Sequence, residues 1–162
     1  MTCIVGVAGK EGFICADRRI TNGGERCPNM TKVAANVGIV VGMCGNAGIF
    51  WQVTRLVKEG RTDPKDFLEV LDEDSGLVAL TADGALWSIN EGAAWPVRKQ
   101  HTTAGSGGDL AAGFLGARGQ VDKKTVRAAQ KFVAGMRTDC GGGCDFASLV
   151  KGGGRVKNGK AQ

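Results

Sequence analysis

Short apolar runs, separated by turns rich in glycine and polar residues, fill the first quarter of the chain. Such runs, which are rich in valine and isoleucine, predict β-strands. Two antiparallel hairpins are expected, and their strands are residues 2–7 with 13–16 and residues 32–35 with 38–43. The polar segment 18–29 between the hairpins is predicted to be an extended excursion with weak strand character.

A helical period follows the second hairpin. Residues 49–58 carry apolar side chains at helical spacing and predict an amphipathic helix, which Gly60 ends. Asp63-Pro64 then predicts the start of a short second helix, because the aspartate can cap it and the proline suits its first turn.

The second half of the chain repeats the order of strands followed by helices. Asp83-Gly84 is a strong hairpin signal between the apolar runs 76–81 and 85–89. The remaining predicted elements are a brief strand at 102–105, helices at 110–117 and 123–136, and a last strand at 146–150.

This order of elements predicts the fold class, because each helix pair needs a sheet face on which to bury its apolar stripe. We expect an α+β protein, a four-layer αββα sandwich with two antiparallel sheets between helix pairs. At 162 residues the chain can bury one sizeable core, so residues 1–151 are expected to form a single domain. Residues 152–162, which are rich in glycine and lysine, are predicted to be a disordered tail.

The composition is that of a globular protein, with 43% apolar and 23% charged residues. The net charge of +5 could indicate a nucleic-acid partner. Four positive charges, however, follow the last acidic residue, Asp145, and leave the body close to neutral: Lys151, Arg155, Lys157 and Lys160. A small basic tail is usually a solvated terminus, so nucleic-acid binding is only a minor alternative.

The six cysteines could form a disulfide framework, but charged residues interrupt the N-terminal stretch where the apolar core of a secretory leader would lie. Reduced thiols in a cytoplasmic protein are therefore expected. The uncharged stretch 33–51 contains two asparagines and four glycines, so it is interpreted as a soluble strand, a loop and a helix start rather than as a membrane span.

The sequence gives little support to a metal site, a cofactor site or a serine-histidine-aspartate triad. The one histidine, His101, lies in a polar stretch without a partner motif, and Cys140 and Cys144 lack a second cysteine pair at zinc-site spacing. The glycine-rich residues 105–108 are not followed by the Lys-Ser or Lys-Thr of a phosphate loop. No metal and no organic cofactor are expected.

Thr2 is a candidate nucleophile because of its place in the chain. A small residue after the initiator Met1 generally allows that methionine to be removed, which would leave Thr2 with a free α-amino group beside its hydroxyl. Such an amine has a pKa of about 7.7–8.0, so a part of it is neutral near pH 7 and can accept the hydroxyl proton. Threonine is also simply common at this position. The adjacent Cys3 is a rival whose side chain would point to the opposite face of a strand.

Several motifs, in the same order along residues 2–150, resemble the proteasome β subunits and the bacterial proteasome-like peptidase HslV, which are N-terminal-nucleophile hydrolases. These motifs are residues 2–7 (TCIVGV), 12–19 (GFICADRR), 32–33 (KV) and 42–48 (GMCGNAG). Residues 104–109 (AGSGGD) resemble the glycine-serine loop of that family, and residues 139–143 (DCGGG) lie where it often has an aspartate before a Ser-Gly-Gly type loop.

The resemblance implies a role for six residues. Thr2 would be the nucleophile, Lys32 would lower the pKa of its hydroxyl and amine by charge proximity, and Asp17 would orient Lys32 by a salt bridge. Gly45 would give a backbone N–H to the oxyanion of the tetrahedral intermediate. Two further residues would complete the hydrogen-bond network around the threonine amine: Ser106 and Asp139. An aspartate after a strand and a lysine before one are also ordinary surface residues.

By resemblance, the chain is expected to be a threonine-type peptidase that cleaves polypeptides, forms a homo-oligomeric ring and works with an ATP-dependent unfoldase. Three departures favour an alternative, a catalytically silent assembly or interaction module. Gly142 stands where the family often has a serine, the helical segment 49–71 is shorter than in the family, and a retained Met1 would block the amine.

Overall fold

The structure, a computed structural model, describes residues 2–22, 25–149 and 155–158. Its strands are β1 (Ile4–Val7), β2 (Phe13–Asp17), β3 (Ile20–Asn22), β4 (Glu25–Cys27), β5 (Val33–Ala35), β6 (Ile39–Cys44), β7 (Gly76–Thr81), β8 (Leu86–Asn90), β9 (Ala93–Val97), β10 (His101–Ala104), β11 (Cys144–Ser148) and β12 (Arg155–Asn158). Its α-helices are α1 (Phe50–Lys58), α2 (Gly108–Arg118) and α3 (Lys123–Met136), and two 3-10 helices span Ala47–Ile49 and Pro64–Val70.

Two five-stranded antiparallel sheets form the centre of the molecule. The first sheet has the strand order β10-β1-β2-β11-β12, and the second sheet has the order β5-β6-β7-β8-β9. The predicted hairpins β1–β2, β5–β6 and β7–β8 all pair as neighbours. The predicted α+β class with two antiparallel sheets is therefore confirmed, and β3 and β4 form a separate small hairpin within the polar segment.

The two sheets pack directly on each other through buried apolar side chains. These include Ile4, Ile14, Ala16, Val40, Val78, Leu80 and Leu86. Glycines keep this contact close, because a Cβ at Gly6 would lie 2.6 Å from Val78 Cγ1 and a Cβ at Gly42 would lie 2.7 Å from Ile14 Cγ2. A side chain at either position would force the sheets apart.

Helices cover the other face of each sheet. Helices α2 and α3 pack on the first sheet through Ala111, Leu115, Val126, Ala129 and Val133. Helix α1 and the 3-10 helix Pro64–Val70 pack on the second sheet through Phe50, Val53, Leu56, Val57 and Phe67. Asp122 caps α3 by accepting a hydrogen bond from Thr125 N–H at 2.7 Å, which fixes where that helix begins.

Three features differ from the sequence-based expectations. Strand β9 is not among the elements predicted from the sequence; it contains Pro96, which is tolerated because β9 is an edge strand. The second predicted helix is a 3-10 helix that begins at Pro64, after the capping Asp63. Residues 155–158 of the predicted disordered tail form β12, which pairs with β11 because the edge of β11 offers unpaired backbone groups. The rest of that tail lies outside the described residues.

Within the described part of the chain, no helix is both long enough and apolar enough to cross a membrane.

Candidate active site

A threonine, a lysine and an aspartate form a buried cluster at one end of the sheets. The Lys32 ammonium donates to Thr2 Oγ1 at 2.9 Å and to Asp17 Oδ1 at 3.0 Å. Thr2 is only 2% exposed, and Lys32 and Asp17 are each 1% exposed. Because an ammonium group only donates hydrogen bonds, Thr2 Oγ1 is the acceptor, and the proton of its own hydroxyl is left to be given to another group.

Strand pairing explains how residues so far apart in sequence meet here. Ile4 lies opposite Ala16 in the β1–β2 register, so Thr2 and Asp17 lie at the same end of that hairpin. Asp17 ends β2 and its N–H donates to the Cys3 carbonyl at 3.1 Å. Lys32 directly precedes β5, and its carbonyl accepts from the Met43 N–H of β6 at 2.8 Å. The cluster therefore joins the first sheet to the second.

The Asp17 carboxylate is held by backbone amides as well as by Lys32. Cys3 N–H donates to its Oδ1 at 2.9 Å, and Gly141 N–H donates to its Oδ2 at 2.9 Å. Arg19 N–H makes a longer bond to Oδ2 at 3.3 Å. This set of donors matches a carboxylate that is buried in its ionised form, because a buried charge needs a partner or several hydrogen bonds.

The glycine-rich loop 141–143 makes the Gly141 contact geometrically feasible. All three of its glycines have positive φ angles, which other residues rarely adopt: Gly141 at 129°, Gly142 at 73° and Gly143 at 82°. A Cβ at Gly142 would also lie 2.5 Å from Asn29 Oδ1. Asn29 is exposed and its side chain can move aside, so the positive φ of Gly142 is the stronger reason why a serine is disfavoured at position 142.

A second glycine loop surrounds the backbone of Thr2. Gly107 N–H donates to the Thr2 carbonyl at 3.1 Å. Gly105 has a φ of 80°, and a Cβ there would lie 2.9 Å from the Thr2 carbonyl carbon and 3.2 Å from Thr2 Cβ. Only a glycine at position 105 leaves room for Thr2 where it lies.

Gly45 lies just after the end of β6, two residues beyond the amide that bonds to Lys32. It is exposed and has a φ of 98°, so its backbone is open to solvent in a conformation that favours glycine. Among the described residues, its N–H donates to no other group. An unoccupied, exposed amide at a glycine is suited to receive a substrate oxygen.

The side chains of Ser106 and Asp139 point to other partners. Ser106 Oγ lies 3.9 Å from Cys140 Sγ. The Asp139 carboxylate makes two bonds of 2.9 Å with the Arg137 guanidinium, and this contact holds the pKa of Asp139 below its usual range. The structure therefore brings Thr2, Lys32 and Asp17 together by side-chain contact, whereas the side chains of Ser106 and Asp139 contact Cys140 and Arg137.

Cys3 is a poor rival to Thr2. Its side chain is fully buried among the residues packed under α2 and α3, on the opposite face of the strand, and its thiol lies 3.6 Å from the Gly107 carbonyl. Burial raises the pKa of the Cys3 thiol well above its usual range, with smaller contributions from Cys140 and Asp17. Because the thiolate is the reactive form, this thiol is inert.

Gln130 is a site residue that the sequence did not single out. It lies on α3, is buried, and donates from Nε2 to the Cys3 carbonyl at 2.9 Å. The carbonyl of Cys3, the residue that follows Thr2, therefore accepts hydrogen bonds both from Gln130 of α3 and from Asp17 of β2. A polar residue on the apolar face of α3, next to Ala129, was the available signal.

No protein-family model matches the chain, and no curated protein matches its sequence. Within the described ranges, no group of three or more histidine, cysteine, aspartate or glutamate residues could hold a metal ion.

Proposed function

We propose that the chain is an N-terminal-nucleophile hydrolase, a threonine-type peptidase in which Thr2 attacks the peptide bond. One observation carries this proposal: the buried Lys32 ammonium donates to the Thr2 hydroxyl oxygen at 2.9 Å while bridging to Asp17 at 3.0 Å. A cation held next to a hydroxyl favours the ionised form of that hydroxyl. This arrangement is what an attacking alkoxide requires.

The layer order supports assignment to the four-layer αββα sandwich of this hydrolase class. Helices α2 and α3 cover the first sheet, the two sheets face each other, and α1 with a 3-10 helix covers the second sheet. The proposed nucleophile, Thr2, lies two residues before β1, which also agrees with such a fold.

The proposed reaction needs Met1 to be removed; Met1 lies outside the described residues. Thr2 Oγ1 would then attack the substrate carbonyl carbon while its proton passes to the Thr2 α-amino group, directly or through a water. Lys32 would stabilise the negative charge on the attacking oxygen, and Asp17 would hold Lys32 in place. The Gly45 amide would donate to the oxyanion of the tetrahedral intermediate.

Collapse of that intermediate would break the peptide C–N bond, and the protonated α-amino group would give its proton to the leaving amine. The acyl group would remain as an ester on Thr2. A water molecule, deprotonated by the same amine, would hydrolyse the ester and restore the hydroxyl. No metal and no organic cofactor takes part in these steps.

The wider setting is proposed from the family resemblance of the sequence. We propose a homo-oligomeric ring in the cytoplasm, polypeptide substrates that enter unfolded, and an ATP-dependent unfoldase as partner. A ring would restrict proteolysis to chains that can reach its interior.

A second candidate function, a catalytically silent assembly or interaction module with the same fold, is favoured by the side chains of Ser106 and Asp139. Ser106 contacts Cys140 and Asp139 bonds to Arg137, so neither bonds to Thr2 among the described contacts. This candidate predicts an unreactive Thr2.

The decisive experiment is the intact mass of the purified protein before and after incubation with a peptide epoxyketone. This reagent reacts with an N-terminal threonine through both its hydroxyl and its amine. The proposal predicts loss of Met1 and a single adduct. Thr2→Ala is the matched control, because alanine also permits removal of Met1 but has no hydroxyl.

An adduct on the wild type that is absent from Thr2→Ala, together with Thr2-dependent cleavage of a fluorogenic peptide, would support the peptidase. A wild-type protein that has lost Met1 and still forms no adduct would refute it in favour of the silent module.

A further inference from the structure

A second hydrogen-bond network fixes the turn that contains Gly45. Asn46 Nδ2 donates to Asp72 Oδ2 at 3.1 Å, and Asn46 N–H donates to Ser75 Oγ at 3.1 Å. Asn46 Oδ1 accepts from Gly48 N–H at 2.9 Å and so caps the following 3-10 helix. Both bonds that Asn46 donates therefore go to the segment 72–75, which is distant in sequence.

The same segment packs against Gly45 itself. A Cβ at Gly45 would lie 2.6 Å from Ser75 Cα and closer still to the Asp74 carbonyl oxygen. The segment is a closed turn, because Ser75 N–H donates to the Asp72 carbonyl at 3.1 Å, and Ser75 is buried. Residues 72–75 thus support the Gly45–Asn46 turn from one side.

Asp72 is the charged member of this network. The Ser75 hydroxyl, and then the Asn46 amide, lower the pKa of the Asp72 carboxyl. Its charge is therefore present at neutral pH, and charge-assisted bonds of this kind are stronger than neutral ones. Asn46 Nδ2 bonds to Asp72 Oδ2, whereas Asp72 Oδ1 is buried and has no hydrogen-bond partner among the described residues.

We propose that Asp72 is a positioning residue that acts through Asn46 and Ser75 to hold the Gly45 amide on the substrate oxyanion. This inference rests on the proposed function, because it assigns a task to the Gly45 amide. An exposed glycine turn is otherwise free to adopt many conformations, whereas an oxyanion donor has to be held in place before the reaction.

The test compares Asp72→Ala, Asp72→Asn and the control Glu73→Gln. Glu73 is exposed and adjacent, and it makes none of the bonds described for the turn. Measured quantities are kcat and KM on a fluorogenic peptide, the rate of epoxyketone adduct formation and the Tm. Asp72→Asn keeps an oxygen that can accept from Asn46 but loses the charge, so it decides the question if Asp72→Ala does not fold.

For Asp72→Ala we expect kcat to fall about 10- to 100-fold with KM within about twofold, because the lost interaction acts on the transition state. Asp72→Asn should lose several-fold, Glu73→Gln should match the wild type, and adduct rates should follow the same order. Equal kcat in Asp72→Asn and Glu73→Gln, or a rise in KM alone, would overturn the inference and leave the peptidase standing. A wild type as inert as Thr2→Ala would refute the proposed function, and this inference with it.

Discussion

The substitution Gly105→Ala tests whether the glycine loop sets the position of Thr2. The new Cβ would lie 2.9 Å from the Thr2 carbonyl carbon. It would lie closer still to the Thr2 carbonyl oxygen, and because non-bonded carbon atoms normally lie about 3.5–4.0 Å apart, one of the two groups has to move by at least about 0.6–1.1 Å. A displacement of about 1 Å can slow a reaction roughly 100-fold when it misplaces a reacting group.

The backbone cost of the substitution can be separated from the clash. Gly105 has a φ of 80°, where an alanine is strained by about 1–2 kcal/mol. Gly92→Ala is the matched control, because Gly92 has a φ of 71° and a Cβ there would have no atom within 4 Å. Both variants should lose about 2–8 °C in Tm from this strain, and Gly105→Ala somewhat more.

The assay is the rate at which Thr2 forms the epoxyketone adduct, measured by intact mass at a temperature where both variants are folded. Gly92→Ala should react like the wild type, and Gly105→Ala about 100-fold more slowly. If the two variants react at the same rate, the close approach of Gly105 to Thr2 does not determine the position of the nucleophile, and the steric reasoning is wrong.

Two further predictions concern the charged residues. Lys32→Met should lower the free energy of unfolding by about 3–5 kcal/mol in urea titrations, because it leaves Asp17 buried without its cation. The double variant Lys32→Met with Asp17→Asn should regain part of this stability but should form no epoxyketone adduct. Adduct formation by Lys32→Met would contradict the mechanism. Arg137 lowers the pKa of Asp139 in the folded protein. The contribution of this pair to the free energy of unfolding is therefore present above the unfolded pKa of about 3.9 and is lost as the pH falls through the lower folded pKa. The Tm difference between wild type and Arg137→Met should therefore shrink from about pH 6 to about pH 3, and an unchanged difference would refute the pairing.

Local sequence patterns predicted most of the elements but not their arrangement. Asp83-Gly84 is a signal carried by two adjacent residues, so the hairpin of β7 and β8 that it connects could be predicted. In the order β10-β1-β2-β11-β12, β1 pairs with β10 about 100 residues away and β2 with β11 about 130 residues away, and no local signal specifies such pairing. Strand β9 was missed because Pro96 argues against a strand unless the strand lies at an edge, which only the assembled sheet reveals.

The candidate site shows the same division. Resemblance to known motifs selected Thr2, Lys32 and Asp17, and these three residues are in contact. Resemblance could not predict that Ser106 contacts Cys140 and that Asp139 bonds to Arg137. These contacts depend on the particular side chains that this chain has at positions 140 and 137. Asp72 carries no motif, and its contact with Asn46 depends on how the turn 72–75 packs against the end of β6.

The stability of the fold does not by itself account for the buried pair of Lys32 and Asp17. Desolvation of two charges offsets much of their attraction, and replacing such a pair by apolar residues is often neutral or stabilising by about 1–4 kcal/mol. In this protein the Asp17 oxygens also accept from the Cys3 and Gly141 amides, which an apolar side chain at position 17 would leave without an acceptor. What apolar residues could not supply is a cation 2.9 Å from the Thr2 hydroxyl oxygen. A cation at this distance favours negative charge on the Thr2 hydroxyl oxygen, and the proposed mechanism depends on that charge.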